Sequence, residues 1–166
     1  MDFNTAEAQT EFALIPEGTI AKAILVVKSG NDFSDPFLTR SKNSDSAYLD
    51  CEYAVIEGRY AKRRIFDKIG VEGSDAWINI GRTKIRAILE SAKNINPKDA
   101  SEVAAEARKI KSFDDLNRLE VVIKIGIEID KGGVYKDKNR VVSIITPDNS
   151  AYKEHMNNSD DIPWSM

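Results

Sequence analysis

The side chains best suited to chemistry in this sequence are cations interleaved with aromatic rings. Arg64, Phe66 and Lys68 alternate in "RIFDK", Lys62 and Arg63 precede them, and Tyr48 stands in the alternating run "AYLDCEYAV". A second set, Lys131, Tyr135, Lys136, Lys138 and Arg140, fills "KGGVYKDKNR", and a third, Phe33, Phe37, Arg40 and Lys42, lies in "NDFSDPFLTRSKNSDS". Cationic groups neutralise phosphates, and a ring stacks on any base for roughly 1–3 kcal/mol, so the mixture suits a polyanion with exposed bases. The same residues also fit an ordinary solvated strand, with Phe66 turned inward by a one-residue bulge. Asp50 and Glu52, beside Tyr48, oppose a phosphate chain.

Other chemistries have little support. With one cysteine and one histidine, a zinc site of several Cys or His ligands is excluded by count, and a Ser-His-Asp triad would have to use His155. Cys51 reads as a small buried hydrophobe, and His155 as exposed and inert. Asp114, Asp115 and Glu120 read as helix-start and surface charges rather than metal ligands. "KGG" is too short to cradle a phosphate and opens no helix. No catalytic residue, metal or cofactor is assigned.

The elements that must position these residues follow from periodicity. "GTIAKAILVVKSG" predicts a strand over 19–28, followed by a long polar loop. "AYLDCEYAVIEG" puts Leu49, Cys51, Tyr53 and Val55 on one face and Tyr48, Asp50, Glu52 and Ala54 on the other. "AKRRIFDKIGV" is its hairpin partner, with Ile65, Asp67, Ile69 and Val71 opposite Arg64, Phe66 and Lys68. From Trp77 the period becomes helical, with Ser74 and Asp75 as caps, and a second helix is expected from near Asp99 to Ile110. In "EVVIKIGIEID", Val121, Ile123, Ile125, Ile127 and Ile129 point one way; "RVVSIITP" is the last strand, stopped by Pro147.

This order predicts a mainly β fold with α: a five-stranded Greek-key barrel of the OB type, with a helical insertion between strands 3 and 4. The expected organisation is an N-terminal arm over 1–15, a domain over 16–147 and a flexible acidic tail over 148–166. Residues 16–146 hold 23 of the 24 basic residues and 20 of the 27 acidic ones, a net of +3, against −6 for the two ends. A mildly basic body between acidic ends can accompany nucleic-acid binding. The start "MDFNTAEAQTEF" has no signal-peptide pattern, no apolar run approaches the ~20 residues of a membrane helix, and the lone cysteine fits a reducing cytoplasm.

Two parts of the chain together carry a resemblance. The segments "IPEGT", "EGRYAKRRIFD" and "YKDKNRV", in this element order, resemble a phage family, long of unknown function, that is similar to single-stranded DNA-binding proteins. The ending "DDIPW" resembles the acidic tip of bacterial single-stranded DNA-binding proteins, with Trp164 where that tip has Phe, and with Ser165 and Met166 following it. The resemblance implies a non-enzymatic protein of phage replication or recombination in the cytoplasm of an infected bacterium. It would coat single-stranded DNA and recruit partner proteins through Asp160, Asp161, Ile162, Pro163 and Trp164. Arg40, Lys42, Tyr48, Lys62, Arg64, Phe66, Lys68, Tyr135, Lys136, Lys138 and Arg140 are the expected DNA contacts. Two rival readings are an OB-scaffold adaptor for proteins or duplex DNA, and a small metal-dependent nuclease. A monomer and a homodimer both fit, and no membrane partner is expected.

Overall fold

Alternation of apolar and polar residues along 47–55 dictates a strand with one wet and one dry face, and the sheet is built around it. The computed structural model describes residues 1–9 and 13–157. Its strands are β1 (Thr19–Val27), β2 (Leu38–Arg40), β3 (Ala47–Val55), β4 (Arg64–Glu72), β5 (Glu120–Glu128) and β6 (Lys138–Ile145). The helices are α1 (Asp75–Lys93), α2 (Glu102–Ala107) and α3 (Ala151–Met156), with a 3-10 turn at Phe113–Leu116. Every pairing is antiparallel, in the order β4-β3-β1-β5-β6, and β2 adds to the start of β3 beside β1. Among the described residues, no helix is long and apolar enough to cross a membrane.

The inward residues make one core: Leu25 and Val27 of β1, Leu49, Cys51, Tyr53 and Val55 of β3, Ile65 and Ile69 of β4, and Ile123 and Ile125 of β5, closed by Ile88 and Leu89 of α1. Burial of this apolar surface is the main stabilising term. It also pushes the Cys51 thiol up to about 12, with Asp67 adding to the effect. Asp67, on the same inward face, is paired by Lys84 of α1 at 3.1 Å.

The helix α1 starts where Ser74 Oγ accepts from Trp77 N–H and ends at Asn94, which adopts the left-handed conformation. Its middle rests directly on β4, since a Cβ on Gly81 would lie 1.9 Å from the Gly70 carbonyl oxygen. Two glycines thus let helix and strand approach backbone to backbone.

Several expectations are corrected. The long polar loop contains β2, because Leu38 buries its side chain opposite Leu49 and Asn31 brackets Arg40 with hydrogen bonds of 2.8 and 3.3 Å. The sheet is open rather than a closed five-stranded barrel: β4 and β6 approach within 8 Å between Cα atoms but share no ladder. That seam is flanked by α1 and by the end of the N-terminal arm. Arg63 donates to Ala13 O at 3.0 Å, Asn139 exchanges hydrogen bonds of 3.0 and 2.9 Å with Ile15, and Ile15 is itself core. The second helix is shorter than expected because Ser101, not the Asp99 region, caps it at Ala104 N–H. Ile129 lies beyond β5 and is exposed, while Val122 is buried on the opposite face from Ile123.

Residues 148–157, expected within a flexible tail, include α3, and His155 is engaged rather than inert. Tyr152, Val122 and Ile145 form a second apolar cluster on the outer side of the sheet, and Tyr152 Oη–H donates to Ser91 O at 2.6 Å. Lys22, only 3% exposed, donates from Nζ to Met156 O at 3.2 Å and pairs with Glu120 at 3.4 Å. His155 Nδ1 lies 2.5 Å from Glu57 Oε1, which also accepts from Lys22 N–H. A buried ammonium is costly unless paired, and here the last turn of α3 supplies the acceptor.

Replacing Gly81 by alanine should lower unfolding free energy by roughly 1–3 kcal/mol in a denaturant titration, because the new methyl meets backbone that cannot swing away. An unchanged midpoint would contradict the close approach.

Candidate nucleic-acid interface

The outward residues of β3 and β4 form the candidate surface, and the ladder decides their neighbours. Register places Glu52 opposite Phe66, Asp50 opposite Lys68 and Ala54 opposite Arg64. Arg64, Phe66 and Lys68 are all exposed, with Phe66 at 60%, so no bulge turns that ring inward. Tyr48 is half-buried on the same side, and Lys68 Nζ sits 4.8 Å from its ring centroid. Four of the expected contacts therefore share one face.

Lys28 completes this face and was not among the expected contacts. It follows β1, donates its N–H to Asp50 O at 2.9 Å, and holds Nζ 4.9 Å from the Phe66 centroid. Its ammonium also pairs with Glu52 at 3.4 Å and Asp50 at 3.7 Å, while Arg64 reaches Glu52 at 3.3 Å. Two carboxylates among three cations leave a formal charge of +1, and each ring has an ammonium within cation–π range. The only sequence signal for Lys28 was its place at the end of the first strand, since its partners depend on the β1–β3 register.

The remaining expected contacts are dispersed. Arg40 is committed to structure: its guanidinium pairs with Asp32 and with Glu72, each at 2.7 Å, tying the β1–β2 loop to the end of β4. Ser34 first, then Arg40, holds the Asp32 carboxyl down at about 2. Lys42 is exposed between β2 and β3, and Phe33 is fully exposed while Phe37 packs against the core. Lys62 is exposed in the β3–β4 turn with a left-handed backbone, φ 75°, and donates its N–H to Val55 O at 2.7 Å.

The β5–β6 loop is a separate basic projection. Asp130 organises it, its carboxylate accepting from the N–H groups of Gly132 and Tyr135. Tyr135 is thereby displayed at 80% exposure, among exposed Lys131, Lys136, Lys138 and Arg140. Lys138 also pairs with Glu128 at 3.6 Å. Asp160, Asp161, Ile162, Pro163 and Trp164, the expected recruitment tip, lie outside the described residues.

The loop clamp has a testable pH signature. The Asp32 carboxyl is depressed, so its contribution is present above the ordinary carboxylate value of 3.8 and is lost as pH falls through about 2. Carboxyl carbon NMR should find Asp32 titrating near pH 2, and Ser34→Ala should raise that midpoint. Titration at the ordinary value in the unsubstituted protein would contradict the clamp. As to kinship, no family model matches this chain, and no curated protein matches it closely.

Proposed function

We propose that this protein binds single-stranded DNA without strong sequence preference, through the outer face of β3 and β4. The observation that carries the reading is the grouping of exposed Phe66 and half-buried Tyr48 with Lys28, Arg64 and Lys68 on one rigid sheet face. A base arriving on either ring displaces the ammonium above it towards the adjoining phosphate, so stacking and charge neutralisation proceed together. Ring faces are common to all bases, which fits tolerance of sequence.

The finer fold reading supports the same surface. The order β4-β3-β1-β5-β6, with near approach of β4 and β6 and α1 between β4 and β5 in sequence, fits an OB-type barrel left open at one seam. In such barrels strands 2 and 3, here β3 and β4, and the loops after strands 1 and 4 bind oligonucleotides. Lys42, Tyr135 and Lys136 of the β5–β6 loop, and Lys138 and Arg140 at the start of β6, would then extend the contact, as would Lys62 beside Arg64. The role fits phage replication or recombination, with residues 160–164 recruiting partner proteins.

A second reading, an adaptor for duplex DNA or protein, is favoured by Asp50 and Glu52, which offset most of the charge of the face. Competition separates the two. Unlabelled single strands should displace a labelled oligo-dT far better than duplex of equal length, and Phe66→Ala should weaken binding by roughly 1–3 kcal/mol. Equal displacement by duplex, or a Phe66→Ala protein that binds like the parent, would sink the single-strand reading.

A further inference from the structure

The rings on the sheet face do not end at Tyr48. Register pairs Tyr48 with Gly70, and paired residues share one face of a sheet, so a side chain at 70 would stand beside the Tyr48 ring. The indole of Trp77 takes that place: its Cδ2, Cε2 and Nε1 each lie 2.6 Å from where a Gly70 Cβ would be. The start of α1 thereby adds a third ring at the end of the face where Tyr48 lies.

This indole is held in position. Gly70 lies against it, Nε1–H donates to Ala47 O at 3.4 Å, and a Cβ on Gly73 would come within 3.1 Å of Cδ1. A ring fixed before a ligand arrives lowers the cost of binding.

A cleft of about 710 Å³ opens beside the ring, lined by Ser44, Asp45, Ser46, Gly73, Ser74 and Trp77. Asp45 is exposed, and its carboxylate has no hydrogen-bond or ion-pair partner among the described residues. The Ser44 and Ser46 hydroxyls lie 2.7 Å apart, so one of their two protons is spent between them and the other is free to donate. Ser74 Oγ already accepts from Trp77 N–H at 3.3 Å. Among the described residues no lysine or arginine lines the cleft, and a carboxylate in its wall repels phosphate. The cleft therefore suits an uncharged ring that donates hydrogen bonds.

A surface to stack on, two adjacent acceptors and one donor match one base in particular. The pairing edge of guanine carries N1–H and the 2-amino group side by side, next to the O6 acceptor, whereas adenine, cytosine and thymine each offer a single donor group there. We infer that this cleft is a guanine subsite at the end of the single-strand surface. The base stacks on Trp77, its N1–H and 2-amino group donate to the Asp45 carboxylate, and its O6 accepts from the Ser44–Ser46 pair. This subsite presupposes that the sheet face binds single strands, and adds one selective position to an otherwise tolerant surface.

Competition binding tests it, with a homothymidine strand short enough to hold one protein and the same strand carrying a single guanine at each position in turn. Guanine towards one end should tighten binding roughly tenfold. Adenine or cytosine at that position should not, and hypoxanthine, which lacks the 2-amino group, should lose most of the gain. Asp45→Ala should abolish the difference between the guanine and homothymidine strands while both still bind. Homothymidine binding with no position that favours guanine overturns the subsite and leaves the sheet-face reading standing, as does a preference that survives Asp45→Ala or that hypoxanthine matches. Failure of every strand to bind overturns both.

Discussion

The register of β3 is the constraint on which the rest depends. This strand pairs with β4 from Ala47 to Ala54, and on its other edge with β2 at the start and β1 at the end. Its side chains alternate without interruption between buried and half-buried. A slip of one residue would send Asp50 and Glu52 into the core and expose Leu49, Cys51 and Tyr53, so the dry face fixes the wet one. The candidate surface is therefore a by-product of core packing: Lys28, Tyr48, Arg64, Phe66 and Lys68 meet because the opposite face must be apolar.

The two ends of the chain extend this scaffold. Ile15 and Asn139 exchange hydrogen bonds beside the seam between β4 and β6, and α3 covers the outer side of β1 and β5 through Tyr152. Lys22 and Glu57 are the polar counterparts, receiving the last turn of α3 and His155. These contacts keep the outer surface of β1 and β5 occupied, while that of β3 and β4 is uncovered among the described residues. Division of one sheet into a covered half and an uncovered half is what makes the uncovered half a candidate interface.

Legibility in the sequence followed the range of the interactions. The alternation in 47–55 and 64–68 is local, so the shared face of Arg64, Phe66 and Lys68 could be read from period, while the placing of Tyr48 beside them and the exposure of Phe66 rested on the β3–β4 register. The role of Lys28 required knowing that β1 lies beside β3, and the commitment of Arg40 required Asp32 and Glu72, neither predictable from period alone. β2 is only three residues long, and α3 only six with one buried residue, Tyr152, so neither carries a pattern strong enough to stand against its polar surroundings. Barrel closure depends on two edges far apart in sequence, and the apolar spacing of β4 and β6 says nothing of whether they meet.

The most direct test of the central claim is the salt dependence of oligo-dT binding, measured for the parent protein and for Lys28→Ala, Arg64→Ala and Lys68→Ala. If these three side chains meet phosphates while the rings meet bases, the logarithm of the affinity falls linearly with that of salt. Each substitution then lowers the slope by about 0.7. Failure to bind at low salt, or slopes identical in all four proteins, would contradict it.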